Sequence, residues 1–193
     1  MAVTRKIKSN LTTMTALIIY DSKYGATRQY AEWLSTALHT PVMKSKEVTS
    51  AMIEKADLLL LGTPVYYGKF RLAKWLKKYE PELRLKKMIF FIVGGTSDSE
   101  EIERNKSVKV SIPNSLLLQS EIYFLKGRLI HSQLSFADRL MMKMAGMRLK
   151  DPGKKKAMNT DLDGVSPEEL KPVENAFDAF KTRVVAQPLS KIL

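Results

Sequence analysis

A chain of 193 residues, 45% hydrophobic and 27% charged, has the size and balance of one globular domain with a substantial core. It has no cysteine and two histidines, which excludes disulfides, thiolate nucleophiles and iron–sulfur clusters and leaves no expected metal site. The net charge of +12 is local: Arg5, Lys6 and Lys8 open the chain, and residues 126–156 carry nine Lys and Arg against Asp138 and Asp151, a distribution that calls for an anionic partner such as a membrane surface, an acidic protein or substrate, or nucleic acid.

Residues 1–13 are polar and basic and lack the apolar stretch of a secretory signal, so they read as a loose tail, with Met14 as an alternative start. Residues 14–193 are expected to form a single domain. No apolar run approaches the ~20 residues needed to span a bilayer. A cytoplasmic setting is expected, with room for peripheral contact on the inner face of the cell membrane.

Leu17-Ile18-Ile19-Tyr20 is a continuous apolar run and predicts a buried strand over about 16–20. Ser22, Gly25 and Thr27 follow, and then the helical spacing of Tyr30, Ala31, Leu34 and Leu38, a helix over about 26–39. A strand that turns through Gly and hydroxyl residues into a helix presents free N–H groups and the positive end of a helix dipole, which suit a phosphate. An ordinary strand–turn–helix is the competing reading.

Val42–Lys46 alternates like a strand, Thr49 or Ser50 can cap a short helix through Glu54, and Asp57–Gly62 is a third strand, apolar from Leu58 to Leu61. A helix over about Phe70–Tyr79 follows, stopped by Pro81. Met88–Val93 is the fourth strand and ends at Gly94-Gly95; Asp98, Glu100 and Glu101 suit the first turn of the next helix. Residues 105–119 carry no clear period, apart from a helix start at Pro113-Asn114-Ser115, and Ile122–Leu125 is the fifth strand. Ser166 as N-cap opens the last helix, with Val173, Phe177, Phe180 and Val184 on one face. Alternating strands and helices predict parallel β-α units in an α/β doubly wound sheet.

Between the fifth strand and the last helix, Leu134–Leu149 predicts a basic, Met-rich amphipathic helix. Its spacing groups Leu134, Ala137, Met141 and Met144, and separately Leu140 and Met147. It can pack on the body, or offer an adaptable surface to a substrate, partner or anionic lipid.

Ile18, Ile19, Tyr20, Ser22, Gly25, Thr27, Ala31 and Leu34 fill every position of the signature of flavodoxins, which the chain resembles from its first strand onwards. The resemblance implies a five-stranded parallel sheet of order 2-1-3-4-5 with helices on both faces and FMN as cofactor; the basic helical insertion over 126–156 is a departure from it, since a minimal flavodoxin does not need that segment. It implies that Ser22, Lys23, Tyr24, Gly25, Ala26 and Thr27 hold the FMN phosphate. Thr63, Pro64, Val65, Tyr66, Tyr67 and Gly68 would meet the isoalloxazine, by stacking or through the Gly68 peptide. Gly94, Gly95 and Thr96 would meet its pyrimidine edge. No catalytic residue is assigned; Asp21, Glu100 and Glu101 read as cap and surface charges.

A second resemblance lies in Phe124–Leu129, Asp138–Gly146 and Tyr67-Gly68-Lys69, which are similar to the flavodoxin-type, menaquinone-dependent protoporphyrinogen oxidases of heme biosynthesis. It implies an FMN-dependent oxidoreductase that oxidises protoporphyrinogen IX and passes electrons to a membrane quinone. Arg128, Arg139 and Lys143 would draw the substrate propionates or a partner, and 126–156 would touch an anionic membrane. The alternative is a small electron-transfer flavodoxin serving redox partner proteins. Nucleic acid is disfavoured as a partner, since no recognised binding motif accompanies the lysines.

Overall fold

The computed structural model of the chain describes residues 14–94, 101–148, 153 and 160–186. Alternate residues of β1 (Ala16–Tyr20) serve two cores, because side chains along a strand point to opposite faces. Leu17 and Ile19 join one, and Ile18 and Tyr20 join the other. The same division runs along β3 (Leu58–Tyr66), where Leu59 and Leu61 face one way and Leu58 and Leu60 the other, and along β5 (Lys87–Val93). A strand buried on both sides must be apolar throughout, which is why these runs do not alternate.

With β2 (Val42–Lys44) and β6 (Ser120–Leu125) the parallel sheet has the order β2-β1-β3-β5-β6. In terms of the five parallel strands this is the expected 2-1-3-4-5 order. One face is covered by α1 (Ala26–Leu38) and α8 (Lys171–Ala186), through Tyr30, Ala31, Leu34, Val173 and Phe177. The other is covered by α2 (Ser50–Lys55), α3 (Ala73–Lys78), α4 (Glu80–Leu83), α5 (Glu101–Ser111) and α6 (Asn114–Leu117).

Several boundaries differ from expectation for local reasons. β3 runs four residues past Gly62 because Val65 and Tyr66 pair antiparallel with β4 (Lys69–Phe70). Phe70 therefore belongs to a strand, its N–H donating to Ser111 Oγ at 2.9 Å, and α3 starts only at Ala73. Pro81 does not end helical structure; it sits in the first turn of α4, where a missing N–H costs nothing. Ser45–Glu47 is a 3-10 turn rather than strand. The hydroxyl of Ser50 donates to Glu82, Thr49 occupies the N-cap of α2 without a side-chain cap bond, and Ser166 donates to Glu168 ahead of a 3-10 turn, Pro167–Leu170. α5 had no readable period because its buried residues include two serines, Ser107 and Ser111. A small antiparallel pairing of β7 (Arg128–Leu129) with β8 (Leu162–Asp163), distant in sequence, was unforeseen. The N-terminal tail and the helix-start acids Asp98 and Glu100 lie outside the described residues.

Gly62 makes room for the ring of Phe91 from the neighbouring strand. A Cβ there would sit 2.2 Å from Cζ of Phe91, whose ring is fully buried. Gly62→Ala is expected to cost about 1–3 kcal/mol of stability by overpacking, read as a lower urea midpoint at unchanged slope; an unchanged midpoint would contradict this packing.

Candidate functional site

β1 pairs with β2 on one side and β3 on the other, so the loops leaving the carboxyl ends of β1 and β3 diverge to opposite faces of the sheet there. Beside them lies a cavity of about 230 Å³. The loop after β1 contributes Ser22, Lys23 and Tyr24, and the start of α1 contributes Ala26 and Thr27. The end of β3 and the turn after it add Pro64, Val65, Tyr66 and Tyr67, with Gly94 from the end of β5.

The first loop closes on itself. Ser22 Oγ accepts a hydrogen bond from the Gly25 N–H at 3.2 Å, and Gly25 stands at the N-cap of α1 with φ +89°. Nothing lies within 4 Å of the position its Cβ would occupy, so the residue leaves open space where a side chain would stand, in a conformation glycine adopts freely. Gln29 makes an intrahelical bond to the Gly25 carbonyl, leaving the N–H groups of Ala26, Thr27 and Arg28 at the helix end. Such a helix end has the geometry to receive an anion. On its outer side a second cleft brings together Arg28, Lys44, Lys46 and Arg71, with Arg71 paired to Asp21 at 2.9 Å.

Tyr67 and Gly68 turn β3 into β4. Both have positive φ, +51° and +72°, as in the two-residue turns whose twist matches an antiparallel hairpin. The Tyr66 and Tyr67 rings stand 4.3 Å apart between centroids, tilted by 57°. Lys23 Nζ lies 4.4 Å from the centre of the Tyr66 ring.

These groups converge on one carboxylate. Asp138, only 4% exposed, lies in the first turn of α7 (Phe136–Arg148). Its Oδ2 accepts from Lys23 Nζ at 2.6 Å and from the Tyr24 hydroxyl. Its Oδ1 accepts from the Tyr67 hydroxyl at 2.9 Å and from the Tyr66 hydroxyl. Ser135 caps the helix by accepting from the Asp138 N–H at 3.2 Å. In a capping box the third-position carboxylate would return to the Ser135 N–H; here that N–H donates to the Tyr24 hydroxyl, and the carboxylate serves the cluster.

Burial opposes ionisation of Asp138, yet the bonds from Lys23, Tyr24, Tyr66 and Tyr67 hold its carboxyl well below the usual range. Burial likewise opposes the Lys23 ammonium, and its bonds to Asp138 and Tyr66 hold it above the usual lysine range. The Tyr67 hydroxyl is pushed up by burial, then by its bonds to Tyr66 and Asp138. The unfolded chain takes up a proton at residue 138 before the folded chain does. Stability from the cluster is therefore whole above the ordinary aspartate pKa of about 3.9 and drains away as pH falls below it. It persists through the ordinary lysine range and is lost only above it. Urea midpoints at pH 7 and pH 3 test this: Asp138→Asn should shrink the acid loss, and an equal loss in both proteins would contradict it.

The sequence-predicted residues divide. Eleven of them line the cavity: Ser22, Lys23, Tyr24, Ala26, Thr27, Pro64, Val65, Tyr66, Tyr67, Gly94 and Arg128. Arg128 also pairs with Asp163 at 2.7 Å. Thr63 is buried in the sheet, where its Oγ1 accepts from the Leu72 N–H at 3.2 Å. Gly68 lies on a neighbouring cleft with Arg104 and Phe124. Arg139 and Lys143 are exposed, Arg139 donating to the Leu134 carbonyl at 3.0 Å. Gly95 and Thr96 lie outside the described residues, as do Lys150, Asp151 and Lys154 to Lys156.

Val93, Gly127, Leu129, Leu134, Asp138 and Met142 complete the wall, and sequence reasoning had not placed them there. The face of α7 that docks is the row Asp138, Met142, Gly146, not the expected stripe; Met141, Met144, Leu140 and Met147 are exposed. The available signal was the single acid of the helix, Asp138, among Arg139, Lys143 and Arg148.

A family model described as a flavodoxin domain matches residues 17–156. No curated protein matches the chain. A flavodoxin from the domain Archaea is 18% identical over 69% of this chain and 98% of its own, with a TM-score of 0.41. The two-electron reduced flavodoxin of Megasphaera elsdenii is 14% identical over 58% of this chain and 84% of its own, at 0.42. The Trp repressor binding protein of Bacillus subtilis is 12% identical over 58% and 85%, at 0.36.

Proposed function

The chain belongs to the flavodoxin domain family, and from that premise we propose that it is an FMN-dependent oxidoreductase whose substrate is protoporphyrinogen IX and whose acceptor is a membrane quinone. The observation that carries the flavin reading is the helix end at Gly25 opening beside an apolar, tyrosine-walled cavity at the sheet's switch point. The residues fit the group: the first-turn N–H groups of α1 with Ser22 and Thr27 would take its phosphate, and Tyr66, Tyr67, Pro64 and Gly94 would border its ring. FMN, when bound, supplies the hydride and electron chemistry. The chain positions it, excludes water with α7, and holds the charge of Lys23 beside it.

The finer reading rests on the resemblance of Phe124–Leu129 and Asp138–Gly146, and on the outer face of α7. Phe136 is 82% exposed and Met147 67%, with Leu140, Met141 and Met144 also exposed beside Arg139 and Lys143. A basic helix with unburied apolar side chains suits shallow contact with anionic lipid, where a quinone resides. Among the described residues no helix is long and apolar enough to cross a membrane. Co-sedimentation with phosphatidylglycerol vesicles should fall about tenfold for Phe136→Asp with Met147→Asp, because two apolar anchors no longer enter the lipid, and should weaken with added salt. Undiminished binding by the double variant would contradict membrane contact through α7.

The enzyme reading is tested by mixing the FMN-loaded protein anaerobically with protoporphyrinogen IX and a menaquinone analogue while following porphyrin fluorescence. Flavin-dependent porphyrin formation is expected. Tight FMN binding with only the uncatalysed rate would favour the alternative, an electron carrier for partner proteins.

A further inference from the structure

Four donors from two separate stretches of chain, Lys23, Tyr24, Tyr66 and Tyr67, meet on the two oxygens of one carboxylate. That is a fully formed carboxylate receptor, and its present guest belongs to α7. The remainder of the helix is held lightly: Met142 and Gly146 face inward, while Phe136, Leu140, Met141, Met144 and Met147 stay exposed. The receptor also opens directly onto the cavity, since all four donors and Asp138 line it.

We propose that the Lys23–Tyr24–Tyr66–Tyr67 cluster is the binding site for a carboxylate of a substrate built on aromatic rings, and that Asp138 occupies it as an internal stand-in until the substrate carboxylate displaces it and releases the start of α7. The proposal deepens the flavin-pocket reading and rests on it for what the aromatic body lies against.

The chemistry favours exchange over simple removal. A partly exposed ammonium and three phenols aimed at one point need an anion there, so withdrawing Asp138 alone is costly, whereas replacing it with another carboxylate conserves every hydrogen bond. Both carboxylates are planar, two-oxygen acceptors, and each oxygen has two donors here. Because the helix that carries Asp138 begins with Ser135 bonded to the Tyr24 hydroxyl, the incoming group loosens the helix cap as it enters. Occupancy of the site and opening of the cover are thus one event. The internal carboxylate lowers the apparent affinity for the external one by the fraction of time the site is open.

The experiment uses the full chain with 1-pyrenebutyrate and its methyl ester as probes, followed by fluorescence anisotropy, with FMN titrated separately into each variant. The acid should bind and the ester should not. Asp138→Ala and Asp138→Asn should each tighten the acid by about tenfold or more if the site is open a tenth of the time or less, and Lys23→Met should abolish binding in either background. In parallel, trypsin should cleave the wild type after Arg139 and Lys143 faster when the acid is present, and the Asp138→Ala variant fast without it. Circular dichroism identifies a variant that has not folded, and Asp138→Asn then carries the test. Equal binding of acid and ester, no binding, or affinity indifferent to residue 138 would overturn the proposal. Any of these alongside intact FMN binding would leave the flavin reading standing. Absence of FMN binding with carboxylate binding intact would sink the flavin reading, and with it what the aromatic body lies against, while the exchange at Asp138 stands.

Discussion

Gly25→Val is expected to weaken FMN binding by about two to three orders of magnitude while the chain still folds. Two effects add. The residue has φ +89°, where an L side chain costs about 1–2 kcal/mol and a β-branched one more. Its Cβ would also stand in open space at the N-cap of α1, where the proposed phosphate would lie. The strain counts against binding because the loop relaxes when free and must return to positive φ to hold the ligand; with the steric loss it reaches about 3–4 kcal/mol in affinity, and each 1.4 kcal/mol is a factor of ten. Gly25→Ala should show the smaller part of the effect. Isothermal titration of FMN into each variant checks the order; affinity unchanged in Gly25→Val would mean that the phosphate lies elsewhere.

The second large effect is expected at Lys23. Lys23→Met leaves the Asp138 carboxylate with three phenolic donors but no counter-charge in a site it can barely leave. Breaking a buried ion pair from one side costs about 3–5 kcal/mol; the Lys23 side chain is 30% exposed, so about 2–3 kcal/mol is expected. Adding Asp138→Asn to Lys23→Met should recover part of that loss, because the orphaned charge goes with it. A urea-denaturation cycle over the four proteins isolates the pair. Additive losses would mean that the two groups do not meet.

The legible parts of the fold are those where one face, or both, is apolar over a full element. Leu17–Tyr20, Leu58–Leu61 and Met88–Val93 could be read as buried strands from composition alone, and with the helix of Tyr30, Ala31 and Leu34 they fix the doubly wound sheet. What escaped was structure held by single polar contacts. The hairpin after β3 depends on two positive-φ residues, one of them a tyrosine, and on a ladder only two pairs long. α5 buries serines, so it leaves no hydrophobic period. The turn after β1 was legible because glycine and hydroxyl residues at fixed offsets mean something locally, and Gly25 does stand at the N-cap of α1. Asp138 was not, since its partners lie 71 to 115 residues away in sequence. Helical periodicity grouped the methionines on a face that could pack or stay open; they are exposed, and the row Asp138, Met142 and Gly146 docks instead.

FMN and riboflavin, titrated side by side into the purified full chain, test the central claim most directly. One FMN is expected per chain, bound with quenched flavin fluorescence, and riboflavin weaker by about a hundredfold or more, the share owed to a phosphate held by helix N–H groups and hydroxyls. Equal affinity for the two, or none for either, would contradict it.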